Sequence, residues 1–295
     1  MLSGFLLASV ASAMTVTVSA SLPEAPTDVR RYGVDTSSSV LVGMDALQDT
    51  FGVTALPLEE ELFGGMEHAA EDDLHCYAYA HGGADFHDAA LLGSEEAIDT
   101  RSDAAVLAEA EELFEALGLA PSGTVELVAV GVGAHTVSMV DNDGSDLGSW
   151  VAHQVAVFTQ EIDGLPTFGP GAEASVVTQG EGVFASFSHA VRNLEDLGAA
   201  DLLDASDAVS NYTDRVGEGR YSLLKLAIDG PESVEITDVS LGYYVPGNDG
   251  AVSELVPVWR LAGTVTAEDG TTGDVLWLEP ALADTDIPQH AITAR

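Results

Sequence analysis

The sequence predicts an α+β protein of two modules, each a helix packed on an antiparallel β-sheet, after a signal segment and an irregular N-terminal region. Three observations predict it: a capped helical stripe opening at Thr100, period-two apolar segments separated by Asp, Asn and Gly turns behind it, and a second helix-then-strands order from about residue 193. The implied boundaries are 1–20 for the signal-like segment, 21–99 for the irregular region, 100–192 for the first module and 193–295 for the second.

The first 23 residues carry no charged side chain, and Leu2, Phe5, Leu6, Leu7 and Val10 form a short apolar region ending in Ala11-Ser12-Ala13. That is the apolar core and small-residue cleavage motif of an export signal, and Val18-Ser19-Ala20 offers a second motif. The usual basic start is missing, so the signal is atypical or the start is misassigned. A retained N-terminal membrane anchor is the alternative, although serines and threonines dilute the run and no basic flank follows it. An extracellular or cell-surface location is expected. From Leu22 to Thr100 the chain is rich in Gly, Asp and Glu, with a linker-like start at Pro23 and Pro26 and no assignable fold.

At Thr100-Arg101-Ser102-Asp103 the character changes to a capping box, and Leu107, Ala110, Phe114 and Leu117 recur at helical spacing up to Gly118. The spacing predicts a helix over 103–117. Strands are expected at 124–130, 136–140, 151–162, 173–178 and 183–188, with Gly131-Val132-Gly133 read as a bulge. Asp141-Asn142-Asp143-Gly144 and Asp163-Gly164 are hairpin turns, because these residues tolerate positive φ. A weaker helix is expected over 194–209, then strands at 221–227, 234–244, 255–266 and 275–278. Ser233 to Leu241 alternates with period two, as a sheet with one buried face requires.

Nine basic residues stand against 49 acidic ones, a formal net charge of −40, and Lys225 is the sole lysine. At ordinary ionic strength this charge opposes the compact state, whereas molar salt cuts the Debye length to about 3 Å. With 46% hydrophobic residues the chain is not an acidic disordered segment, so the economical reading is a halophilic, salt-adapted surface. Nucleic acid and anionic membrane surfaces are poor partners, because binding them takes clustered Lys and Arg. The lone Cys76 excludes an internal disulfide.

The run Val155 to Phe158, Gln160, then Asp163-Gly164-Leu165-Pro166-Thr167-Phe168-Gly169 resembles the strand–GxPVFG–strand signature of fungalysin/thermolysin propeptides and of PepSY and YpeB-like modules. Thr167 stands where that signature has Val. Asp238 to Pro246, with Tyr243 and Tyr244, and Leu255 to Leu261, with Pro257 and Trp259, resemble the paired strands of YycH/YycI-like and PepSY-like extracytoplasmic proteins. The resemblance implies Gly164, Pro166, Phe168, Gly169, Tyr243, Tyr244, Pro257 and Trp259 as interaction or structural positions. It also implies a non-catalytic module that chaperones or inhibits a peptidase or modulates a sensor, with another extracytoplasmic protein or cell-surface component as partner. Pro257 and Trp259 are residue types that more often pack than contact a ligand.

His75, Cys76 and His81, with His68 and His87 nearby, are the densest set of metal ligands, and zinc is the ion they would take. Tighter Cys or His pairs are the rule in zinc sites, and a solvated polar loop is the competing reading. Asp141, Asp143 and Asp146 could hold calcium, yet their order does not match an EF-hand loop. No cofactor is required by the motifs. The chain has no His-Glu-x-x-His, no Gly-x-Ser-x-Gly and no Walker loop. A secreted hydrolase using carboxylates or the 68–88 cluster, and a structural cell-surface subunit, remain the rivals to a binding module.

Overall fold

A computed structural model describes residues 14–34, 44–53, 66–79, 82–118, 124–190, 192, 194–217, 231–247 and 253–283. The elements are β1 (Thr15–Val18), β2 (Arg30–Val34), α1 (Met44–Phe51), β3 (Met66–Glu71), β4 (Leu74–Tyr79), β5 (Ala84–Asp88), α2 (Ala89–Leu92) and α3 (Asp103–Ala116). There follow β6 (Val125–Val140), β7 (Asp146–Ile162), β8 (Leu165–Phe168), β9 (Glu173–Gly180), β10 (Val183–His189), β11 (Leu194–Ala199) and α4 (Ala205–Gly217). The last three are β12 (Pro231–Tyr244), β13 (Glu254–Ala267) and β14 (Thr272–Pro280). Among the described residues the fold is thus mixed α/β, with extensive antiparallel sheet and four helices.

Two compact units divide the chain, one of Arg30–Gly198 with Gly242–Leu255, the other of Met1–Val29, Ala199–Leu241 and Val256–Arg295. In the first, antiparallel strands run in the order β6-β7-β9-β10-β5-β4-β3. α3 covers one face with its stripe of Val106, Ala110, Leu113 and Phe114. Under that stripe lie Phe86, Phe158, Val176 and Phe187, with the small Ala78, Ala84, Ala156 and Ala174 leaving room for the helix. α1 adds the fully buried Leu47 and the half-buried Phe51, whose ring stacks on Phe86 at 3.8 Å.

α3 starts where the sequence indicates: the Ser102 hydroxyl accepts from the Ala105 amide, and Gly118 beyond the helix takes φ +70°. The strands predicted at 124–130 and 136–140 are one strand, β6, with a register shift at Ala129/Gly131 where the bulge was expected. The glycines between them bulge the strand without ending its pairing with β7.

In the second unit β1 pairs in parallel with β12 and β13 pairs antiparallel with β14. α4 buries Ala205, Ala208, Tyr212 and Val216 at helical spacing. The helix expected over 194–209 is corrected: Leu194–Ala199 is β11, and the helix begins only at Ala205. Gly198 at φ +107°, its amide held by Asp196, interrupts any helix there. The strand expected at 221–227 and the segment 1–13 lie outside the described residues.

Residues 66–92, for which no fold was assignable, carry β3, β4, β5 and α2. These strands are five or six residues long, and their core faces present Cys76, Ala78, Ala84 and Phe86, so apolar periodicity is weak although burial is complete.

Candidate functional site

The Gly164–Gly169 run forms a clasp with Tyr243–Gly247. Asp163 and Gly164 both take positive φ, 52° and 74°, in the two-residue turn that folds β8 back on β7. β8 then pairs in parallel with the end of β12, Thr167 beside Tyr243 and Phe168 beside Tyr244. The Val245 amide donates to the Phe168 carbonyl (2.8 Å), and the Gly171 amide to the Val245 carbonyl (3.0 Å). Buried Gln160 donates its side-chain amide to the Gly171 carbonyl at 2.7 Å. Buried Arg192 donates to the carbonyls of Pro246 and Gly247 at 2.8 and 2.7 Å. The sequence assigned these two motifs to different modules, whereas both belong to the unit of residues 30–198 and 242–255.

Thr167 is explained by this geometry. Its side chain is buried, and its hydroxyl donates to the Gln160 carbonyl at 2.9 Å, a partner valine could not use. Tyr243 is fully buried, its ring edge-on to Tyr32 at 5.8 Å and its hydroxyl donating to the Arg30 carbonyl at 2.8 Å. Burial pushes its phenol up to about 12, so it is a fixed donor at any ordinary pH. Tyr32 donates to the Asp163 carboxylate. Tyr244 is buried and Phe168 half-buried. The clasp is therefore made of buried, hydrogen-bonded groups that define the corner.

Pro257 and Trp259 lie in the other unit, both buried. The Trp259 indole donates to the Leu203 carbonyl at 2.9 Å. Nearby Glu279 is fully buried, accepting from the Trp277 indole at 2.6 Å and lying 3.4 Å from the Arg215 guanidinium. Burial raises its carboxyl pKa against the opposing pull of Trp277 and Arg215. A raised folded pKa means the folded chain keeps a proton the unfolded chain has released, so this site's contribution falls as pH rises above the ordinary glutamate value of about 4.3. Glu279→Gln is accordingly expected to gain stability relative to the parent across that rise, read as urea midpoints at fixed salt. A difference independent of pH would show that Arg215 and Trp277 offset the burial.

His68, His75, Tyr77 and His87 form a half-buried stack on one face of β3, β4 and β5. His68 and His75 rings are parallel at 5.7 Å, with Nε2 to Nδ1 at 3.4 Å, and His68 lies on Tyr77 at 4.5 Å. His75 is the direct cross-strand partner of His87. Tyr77 was missed by the sequence reading, yet it shares the period-two face of His75 once β4 is known to be a strand. Cys76 is on the opposite, core-facing side, fully buried, and burial pushes its thiol up to about 11. His75 and Cys76 thus cannot converge on one ion, which corrects the predicted zinc trio. Its third member, His81, lies outside the described residues. Among the described residues, no three His, Cys, Asp or Glu side chains group as a metal site.

The carboxylates weighed for calcium accept hydrogen bonds within their own turns. Asp141 accepts from the Asn142 amide, Asp143 from the Ser145 amide and hydroxyl, and Asp146 from the Gly148 amide. The Ser145 hydrogen bonds hold the exposed Asp143 carboxyl below its usual range. Along the same hairpin, buried His153 has its Nε2 2.9 Å from the Leu91 carbonyl and 3.2 Å from the Gln179 side-chain amide, and its Nδ1 lies 3.2 Å from His135 Nδ1. Nothing in the spacing of His135 and His153 marks that pair before the β6–β7 register is known. A groove beside it is lined by Glu96, Asp99, Arg101, Gln179 and Glu181. The Arg101 guanidinium is engaged there by Glu109 at 2.6 Å and Thr178 at 3.2 Å, so it ties α3 to the sheet.

No family model matches the chain. No curated protein matches it. Among solved structures it is similar to an uncharacterized protein from Eubacterium rectale, at 11% identity over 92% of this chain and 86% of that one, with a TM-score of 0.43. No described helix is long and apolar enough to cross a membrane.

Proposed function

We propose that this chain is an exported, salt-adapted binding module of the PepSY-like kind, built from two helix-on-sheet modules, that modulates a peptidase or sensor outside the cytoplasm. The observation that carries the reading is the clasp. Residues matching the PepSY-like signature sit at a buried corner beside a helix-covered antiparallel sheet, so the signature serves the frame and binding falls to the outward faces. The charge of −40 supports a salt-rich setting, where solvated acids keep such a surface soluble.

Export makes a specific prediction. β1 begins at Thr15 and pairs with Ser233 to Ile236, and Met14 before it is buried. Cleavage after Ala20 would remove that strand, whereas cleavage after Ala13 leaves it whole. N-terminal sequencing of secreted protein is expected to read Met14; a start at Ser21 would show that β1 is dispensable. For the binding role, the full chain immobilised in molar salt is expected to retain one extracytoplasmic protein, a peptidase or sensor, from cell-surface extracts. Retention of neither class at several salt concentrations would sink the reading.

A further inference from the structure

α4 carries Asn211-Tyr212-Thr213, an asparagine followed two residues later by a hydroxyl, with no proline between them. That is the acceptor triplet for an N-linked glycan. The other asparagines lack it: Asn142 is followed at that distance by Gly144, Asn193 by Glu195 and Asn248 by Gly250. The fold turns Asn211 outward. Tyr212 is buried, its ring 5.4 Å from that of Trp277, while Asn211 and Thr213 on either side of it are exposed. Asp207, Ser210 and Asp214 around Asn211 are exposed too, so a bulky group on its side chain displaces nothing from the core. Asparagine is a weak choice for a helix interior, because its amide competes with the backbone, and among the described residues nothing hydrogen-bonds the Asn211 side chain. Helix stability therefore does not account for it.

We infer that Asn211 is an N-glycosylation site, taking an oligosaccharide from a polyprenyl phosphate or diphosphate carrier. The inference rests on the export proposed above, since such carriers hand over their sugars outside the cytoplasm. In the transfer, the Asn211 Nδ2 bonds to the anomeric carbon of the glycan and the bond from that carbon to the carrier's phosphate oxygen breaks. The carrier leaves with the electron pair, and one amide proton is released. Transfer comes before α4 folds. At 3.6 residues per turn Asn211 and Thr213 point about 200° apart around the helix, and the Thr213 hydroxyl donates to the Val209 carbonyl at 2.8 Å. A transferase that reads carboxamide and hydroxyl together meets both only on an extended chain, as the polypeptide emerges from export. Once α4 forms, Tyr212 packs inward and the glycan stands on the solvent side of the helix, where an uncharged sugar adds solubility without adding to the charge of −40.

Peptide mass spectrometry of the full chain, secreted by the cells that make it, tests this. Fragmentation is expected to place a sugar on Asn211 and none on Asn142, which is exposed but followed by Gly144. Asn211→Gln and Thr213→Ala should each abolish the modification, whereas Thr213→Ser, which keeps the hydroxyl, should retain it. Thr213→Ala leaves the acceptor asparagine in place and puts a better helix former in α4, so loss of sugar from that variant reports the triplet and not misfolding. Secreted protein with a bare Asn211, sugar that survives either loss variant, or sugar on Asn142 as well overturns the inference and leaves export standing. A chain retained inside the cell overturns both.

Discussion

Gly242→Ala is expected to lower unfolding free energy by about 3 kcal/mol or more, the upper range for overpacking against atoms that cannot move aside. A Cβ at Gly242 would stand 2.1 Å from the Pro166 carbonyl oxygen and 2.6 Å from the Phe168 ring. A Cβ at Gly171 would stand 2.0 Å from the Pro246 carbonyl oxygen, so the two backbones approach from both sides of the clasp. Neither strand can retreat, because β8 is tied to β7 through its turn and Val245 is bonded to Phe168. Gly133→Ala is the control: nothing lies within 4 Å of its Cβ, and a change within roughly 0.5 kcal/mol is expected. Urea is the denaturant of choice, since guanidinium is itself a salt and would screen the acidic surface it is meant to probe. An unchanged midpoint for Gly242→Ala would disprove the close approach.

Trp259→Ala should cost about 3–5 kcal/mol, the range for emptying a large buried aromatic site. Trp259 is fully buried on β13, and its indole N–H satisfies the Leu203 carbonyl. Trp259→Phe separates the two contributions: it keeps most of the packing and removes the donor, for an expected loss of about 1–3 kcal/mol. Equal losses for Phe and Ala would mean that the hydrogen bond dominates. Both results bear on function. A loss of binding in variants of Tyr243, Tyr244 or Trp259 would report unfolding before it reported recognition, so partner mapping belongs on exposed positions.

Legibility followed how local each determinant is. α3 was readable because its cap, its apolar stripe and its stop all lie within one short stretch of chain. The Asp163-Gly164 turn was readable because positive φ selects those residues directly. β11 was mistaken for helix because apolar residues spaced over 194–209 satisfy a helical period until Gly198 is seen to break it. The histidine face was half-read: His68, His75 and His87 stood out by composition, but only the β3–β4–β5 register separates them from Cys76 and adds Tyr77.

By itself the sequence determined the acid coat, the capped helix, the order of most strands and the corner residues, all properties of composition or of neighbours a few positions apart. Tertiary structure alone decided that Thr167 lies beside Tyr243, that Gly171 and Gly242 are where the backbones of the clasp approach closely, and that the long uncharged strand β6 pairs, among the described residues, with β7 alone. The physical reason is that strand pairing joins residues far apart in the chain through backbone groups every residue shares. Periodicity states which face a strand buries, but not which strand it will lie against.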